Sequence, residues 1–433
     1  MFKKFAMLIS FLLFFASKAE KFRGIEEYKL SNGLTVVIIN TDKSNLLLVL
    51  LCVAAGSTDE IDRRGVANVL SGLFLEKLRS SLGTDYPQYG AECNSFTGYD
   101  QSVYYFSGKS ENMEGFIKIL GTVFSNFSFS SEELEGCKRG VHQKISEDQQ
   151  VDRNQERCEA RKSLWWHSNY GAPITGSRHD VNSITVENVE SFFGNSYANC
   201  RATIIISGCN VDKKLVQEWI LKYFSKPNVV SPINRLIEPN HHGATVQISK
   251  YSSQVSVPIV EMYWKIPCYR KEKEKAMATE IFLNHVDEVL LHRMIEGQKV
   301  AVSISFRYSF WNYEYGDFCI AVTFKNSEDV NRGITALLTE LKYIAAEGLS
   351  ESDFNKARKK LCDSVDIFNA NTDVVTVVDS VAKKMGAGYM LDDIKFHREN
   401  VSKYGNLPEV NLQVNEIFRK DPCVISIIKP LGK

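Results

Sequence analysis

The order of apolar patterns repeats along this chain, and that repeat restricts its fold more than any other feature. In the first half, Gly33 to Asn40 and Leu46 to Ala54 are apolar, β-branched runs joined by the polar Thr41-Asp42-Lys43-Ser44-Asn45, and they read as a hairpin of buried strands. Arg64 to Arg79 then places Val66, Val69, Leu70, Leu73, Phe74 and Leu78 on one helical stripe. Cys93 to Ser107 returns to strand character, and Met113 to Phe127 and Ser131 to Ser146 pattern as amphipathic helices. The second half follows the same order: strands around Ala244 to Ser249 and Ile259 to Lys265, a helix from Lys271 into His292, strands at Val300 to Tyr308 and Phe318 to Phe324, then helices. A local anchor supports the repeat. FSSEELEGCKRGV at Phe129 to Val141 aligns without gaps with LSESDFNKARKKL at Leu349 to Leu361, each a Ser and acidic helix start followed by basic residues.

The expected fold class is therefore α+β, in two homologous domains, each a mainly antiparallel sheet with helices packed on one face. The expected boundaries are 20–225 for the first domain and 244–433 for the second. Between them 226–243, punctuated by Pro227, Pro232 and Pro239, reads as a linker. A chain of 433 residues exceeds one ordinary core and is long enough for this division.

Charge excludes one class of partner. The 52 basic residues balance 52 acidic ones, so nothing draws the chain to nucleic acid or to an anionic membrane. At the start, Lys3 and Lys4 precede an apolar stretch from Phe5 to Ala16, and Ser17-Lys18-Ala19 sets small residues before Glu20. Residues 1–19 thus read as a secretory signal peptide, and the expected protein is exported, periplasmic if the source is a Gram-negative bacterium. No later run approaches the roughly 20 apolar residues of a membrane helix, so no stable membrane insertion is expected. The ten cysteines are widely spaced without a C-x-x-C pair, which leaves disulfides open and gives no zinc ribbon or thioredoxin-type motif.

Four stretches carry a family resemblance: SNGLTVVIIN (Ser31 to Asn40), AAGSTDEIDRRGVANVLSGLFLE (Ala54 to Glu76), YGAECNSFTGYDQSVYY (Tyr89 to Tyr105) and SNYGAPITGSRHDVNSITVENVESFFGNSYANCRATIIISG (Ser168 to Gly208). Together they resemble the insulinase/pitrilysin zinc metallopeptidases, which include mitochondrial processing peptidase, over nearly all of the mature chain. The resemblance implies two domains facing each other across a cavity. It also implies zinc as cofactor, held by a helical His-x-x-Glu-His and a later Glu. Two His four residues apart share one helix face and grip the metal, while the Glu between them takes a proton from bound water whose pKa zinc lowers to roughly 7.

Here that motif falls on Asn68-Val69-Leu70-Ser71-Gly72. Asn68 offers an amide, Ser71 has no carboxylate, and Gly72 has no side chain, so no catalytic residue and no metal ligand is expected at these degenerate positions. The later ligand Glu aligns with Lys144 or Ile145, and a lysine there would repel a cation. The family's substrate-holding Arg and Tyr align with Ile295 and Val302, with Arg293 and Tyr308 nearby. What survives is Asn94-Ser95-Phe96-Thr97, which resembles the family's Asn-Ala-aromatic-Thr strand, where a peptide docks as an added strand. These four are the expected substrate-binding residues, the alternative being a plain core strand.

Other candidates are bland. A substitute metal site from Cys137, His142 and Asn68 is disfavoured because five-residue spacing sends Cys137 and His142 to diverging faces. His241-His242 reads as a solvated loop, and Trp165-Trp166-His167 as helix packing beneath the following loop. There is no P-loop, nucleophile elbow or dinucleotide fingerprint. The expected function is that of a non-catalytic family homologue, a pseudoenzyme that pairs as a heterodimer with an active zinc-peptidase homologue and contributes chamber wall and peptide-binding surface. Two alternatives stand beside it: an active zinc-dependent endopeptidase with unconventional ligands, and a stand-alone peptide-binding or structural protein.

Overall fold

The computed structural model describes residues 22–42, 46–83, 91–197, 201–224, 235, 244–297, 301–365 and 373–431. The expected signal segment 1–19, His241-His242 and, apart from Arg235, the expected linker 226–243 lie outside these residues. Among the described residues the order opens with β1 (Phe22–Lys29), β2 (Thr35–Thr41), β3 (Leu46–Val53), α1 (Val66–Leu82), β4 (Glu92–Thr97) and β5 (Ser102–Lys109). Next come α2 (Met113–Ser125), α3 (Ser131–Gln149), α4 (Asp152–Leu164), α5 (Arg178–Ser183), α6 (Val186–Ser196), β6 (Ala202–Gly208) and α7 (Lys213–Tyr223). The second half runs β7 (Val246–Ser252), β8 (Ile259–Ile266), α8 (Lys273–Leu291), β9 (Ser303–Ser309), β10 (Gly316–Thr323), α9 (Asp329–Glu347) and α10 (Glu351–Val365). It closes with α11 (Val374–Gly386), α12 (Leu391–Lys395), α13 (His397–Tyr404), α14 (Leu407–Phe418) and β11 (Val424–Pro430).

The fold is α+β, built on a six-stranded sheet, β1-β2-β6-β3-β5-β4, and a five-stranded sheet, β7-β11-β8-β10-β9. Every neighbouring pair is antiparallel except β2 with β6 and β7 with β11. The internal repeat is visible in the helix starts. Ser130 and Ser350 each accept a hydrogen bond from the backbone N–H three residues on, at Glu133 and Asp353, opening α3 and α10 at the aligned positions.

The expected hairpin of β2 and β3 does not form. β6 lies between them, so that Ile205 is paired with Val37 on one side and with Leu50 on the other. All seven residues of β6 are buried, and a strand apolar on both faces leaves water fully only in the middle of a sheet. The two gaps between strands span about 10 Å, within reach of the four-residue connection from Thr41 to Leu46. The expected strand from Cys93 to Ser107 is two strands, β4 and β5, turning where Gly98 N–H donates to the Gln101 carbonyl at 2.7 Å.

The chain divides into two compact units that are not contiguous in sequence. Unit 1 holds residues up to Ile145, then Pro173–Arg235 and Ile367–Lys395; unit 2 holds Ser146–Ala172, Leu236–Asp366 and Phe396–Lys433. Relative to the contiguous boundaries expected from the sequence, α4 joins the second sheet, and α11 and α12 join the first.

In unit 1, Val36, Ile38, Val49, Leu51, Tyr104, Phe106, Ile204 and Ile206 face α1, α2, α6 and α7. The alternate residues Val37, Ile39, Leu48, Leu50, Val103, Tyr105 and Ile205 face Val374, Val378, Val381 and Ala382 of α11. Gln101, with its amide nitrogen turned to the helix end, donates to the Ala382 and Lys383 carbonyls. In unit 2, Trp264 packs with Phe318 and Phe418 on one sheet face. On the other face Glu261 accepts from Arg153 and Arg157 of α4 at 2.9 and 2.8 Å and pairs with Arg307 at 3.0 Å. Burial alone would raise the Glu261 carboxyl, but Arg157 and Arg307 hold it well below its ordinary range.

Candidate functional site

The start of α1 is fixed before its side chains matter. Gly65 adopts φ +87° and Gly176 φ +69°, and a Cβ on either would lie 2.6 Å from the Thr175 carbonyl oxygen or 2.7 Å from that of Arg64. Only glycine allows the two backbones to touch at left-handed φ. The Glu60 carboxylate accepts from Gly65 N–H at 2.9 Å and Ala67 N–H at 3.0 Å, capping the helix. Burial pushes this carboxyl up to about 8 despite those two bonds. Beside it Asp59 is gripped by Arg201 and Arg235, which also reaches Asp100 in the β4–β5 turn.

α1 thus presents Ser71 towards β4 and Gly72 towards α3. Ser71 Oγ donates to Ser95 Oγ of β4 at 3.2 Å and also reaches the Tyr104 phenol. Tyr104 in turn shares a 2.7 Å hydrogen bond with Tyr197, and burial holds its phenol well above the ordinary value. Ser71 and Ser95 thus form a hydroxyl pair that joins α1 to β4.

Gly72 is covered by α3. The Cys137 thiol donates to the Val69 carbonyl at 3.2 Å, and a Cβ at residue 72 would meet Cys137 Sγ at 2.5 Å. Burial pushes the thiol up to about 11 against the pull of the Lys144 ammonium, so it is neither a ready thiolate nor a nucleophile. Asn68 is 8% exposed, and its buried amide nitrogen has no hydrogen-bond partner.

These positions do not fit the family's zinc ligand set: they supply an amide, a hydroxyl, a bare glycine, one thiol and a nearby lysine in place of two imidazoles and two carboxylates. Among the described residues no three His, Cys, Asp or Glu side chains converge as metal ligands do. Ile145 belongs to the unit 1 core, while Lys144 is exposed.

Asn94-Ser95-Phe96-Thr97 forms the outer strand of the unit 1 sheet, with β5 as its partner. Ser95 turns towards α1, while Phe96 lines a small apolar cavity with Leu50, Val103, Tyr105, Val375 and Val378. The Thr97 hydroxyl is buried without a partner.

The remaining candidates separate. His142 meets Asn182 at 2.7 Å, away from the Cys137–Val69 contact. Trp165 is buried against Tyr170, whereas Trp166 is 65% exposed and lies against His167. In unit 2, Ile295 is half-buried in a π-helical turn, His292–Gly297, and Val302 is 57% exposed. Arg293 pairs with Glu340 and lies over the Tyr343 ring, and Tyr308 packs on Phe310. Cys137, Ser95 and Arg79 carry structural roles that motif alignment did not assign. The legible signal was Ser95 itself, a departure matched to that at Ser71.

The architecture defines a class, an α+β scaffold of two units. Residues 35–177 match the profile described as Insulinase (Peptidase family M16), and residues 183–361 match Peptidase M16 inactive domain. The chain belongs to the insulinase, or M16 peptidase, family. An uncharacterized zinc protease of Rickettsia felis is 24% identical over 202 residues, 46% of this chain and 49% of its own length. The mitochondrial-processing peptidase subunit beta of Neurospora crassa is 21% identical, over 63% of this chain and 59% of its own. That of Saccharomyces cerevisiae is 21% identical over 78% of this chain and 77% of its own. The chain thus spans about half to three-fifths of the first two relatives.

Among solved structures, a putative M16-like peptidase of Alicyclobacillus acidocaldarius superposes with TM-score 0.79 at 19% identity, covering 95% of this chain and 99% of that one. A Helicobacter pylori protease gives 0.76 at 16% identity, covering 94% and 100%. These likenesses show the fold. No helix among the described residues is long and apolar enough to cross a membrane.

Proposed function

We propose that this chain is a non-catalytic member of its family that holds an extended peptide along β4 and works as the partner subunit of an active zinc-peptidase homologue. The observation that carries the reading is Cys137 Sγ packed against Gly72, where a ligand side chain would have to stand. The Ser71–Ser95 bond supports it, because the position aligned with the general base carries a hydroxyl that is tied to a second hydroxyl and has no carboxylate to take a proton. Among the described residues β4 is the outer strand of its sheet, and backbone hydrogen bonding along such an edge can bind peptides with little demand on sequence. Relatives named as subunits of a processing peptidase fit a role in a pair.

The test is direct. Purified protein is expected to hold no stoichiometric zinc and to leave quenched fluorescent peptides intact, and it should co-purify from its native source with a homologue that has an intact His-x-x-Glu-His. Chelator-sensitive cleavage by the isolated chain would establish the active-peptidase alternative. A monomer that binds unfolded peptide with no such companion would establish the stand-alone alternative. We place the protein in an exported compartment on the strength of Lys3, Lys4 and the Phe5 to Ala16 segment. An N-terminus at Glu20 in protein from the native source is the expected finding; an intact Met1 start overturns it.

A further inference from the structure

β4 is the outer strand of its sheet, and the turn that follows sets the phase of its hydrogen bonds. Gly98 N–H donates to the Gln101 carbonyl, and bonded and non-bonded pairs alternate along an antiparallel ladder. Counting back, Phe96 and Asn94 bond to Val103 and Tyr105, while Cys93, Ser95 and Thr97 turn their backbone groups away from β5. Those outward groups are the ones an added peptide strand would use.

Two of them are already engaged. Ser95 N–H donates to the Asn94 side-chain oxygen at 2.9 Å, and the Cys93 carbonyl accepts from the Arg79 guanidinium at 3.4 Å. Arg79 comes from the last turn of α1 and also pairs with Glu76 at 3.3 Å. Both capping side chains are on the surface: Asn94 is exposed, and the Arg79 side chain is 38% exposed. Asn94 also meets the Tyr105 phenol and Arg79 keeps its pairing with Glu76, so uncapping exchanges these contacts for water, whereas Ser95 is held inward by Ser71.

We propose that Asn94 and Arg79 form a self-cap on the peptide-binding edge, so that an extended peptide pairs with β4 only after both side chains have swung off. This rests on the peptide-holding reading above. The cap blunts an open edge against unspecific pairing and lowers the apparent peptide affinity by the fraction of time the edge is uncapped. It acts on backbone recognition, and therefore on every extended peptide alike.

The test uses the full chain and its Asn94→Ala, Arg79→Ala, double and Asn94→Asp variants, with two readouts: amide exchange at Ser95 in the free protein, and binding of a fluorescein-labelled unstructured peptide. Exchange at Ser95 should accelerate in Asn94→Ala and the double variant, stay slow in Asn94→Asp, whose carboxylate still accepts the bond, and leave Val103 and Tyr105 unchanged. Peptide affinity should rise about threefold to tenfold in the double variant. Unchanged exchange at Ser95, or weaker peptide binding by the double variant than by the wild type, overturns the self-cap even if the wild type binds peptide. Accelerated exchange with no binding by any variant overturns the peptide-holding reading, and the gate with it.

Discussion

Cys137 fills the space that a side chain on Gly72 would need: an ideal Cβ at residue 72 lies 2.5 Å from its sulfur. The contact is held by the thiol's hydrogen bond to the Val69 carbonyl, one turn earlier on the same helix. Gly72→Ala is therefore expected to lower unfolding free energy by about 2 kcal/mol through overpacking. Cys137→Ala should relieve most of that loss, a coupling that a double-mutant cycle in urea would read. Equal losses with and without Cys137 would count against the contact.

The same contact governs any attempt to rebuild the metal site. Asn68→His, Ser71→Glu and Gly72→His together should fail to hold zinc while Cys137 is present, and should bind measurably better when Cys137 is also shortened to Gly. Metal analysis after dialysis separates the two outcomes.

Asn68 buries an amide nitrogen with no partner. Leaving such a group unsatisfied costs about 1–3 kcal/mol, and replacing it with an apolar group of similar shape removes the cost. Asn68→Leu should raise the urea midpoint at constant slope; a lower midpoint would show that the amide has a partner in solution.

Glu60 gives a pH dependence with a definite sign. Its carboxyl is raised from 4.5 to about 8 by burial, so the folded chain binds this proton more tightly than the unfolded one. Stability from this group is present in full below about 4.5 and is lost as pH rises towards about 8. Denaturation at pH 5 and pH 8 should therefore show a larger drop for the wild type than for Glu60→Gln.

A fragment ending at residue 243 keeps all six strands of the first sheet but lacks α11. It would expose Val37, Ile39, Leu48, Leu50, Tyr105 and Ile205, which α11 covers. Such a fragment should aggregate or bind a hydrophobic dye. In the intact chain, Val378→Asp should cost more than about 3 kcal/mol by burying an unpaired carboxyl. A soluble, cooperatively folding fragment would mean that the first sheet does not need this helix.

Much was legible in advance. The helix stripe from Val66 to Leu78, the two serine-started helices and the repeat were readable because each is set by residues close in sequence. That Asn68, Ser71 and Gly72 share one helix was also readable, because helical spacing is set by neighbouring residues. The β2–β3 hairpin was misread for the converse reason: two apolar runs with a short polar link look adjacent whether or not a strand from more than 150 residues later inserts between them.

The sequence by itself determined which groups stand on α1, since side-chain identity and helical spacing are local properties. Only the tertiary structure decided what fills the space around them: Cys137 against Gly72, Ser95 against Ser71, Arg79 on the Cys93 carbonyl and α11 across the back of the sheet. Those pairings join residues far apart in the chain. They are selected by where apolar faces must be buried and polar groups satisfied, conditions that exist only once both strands and helices are in place.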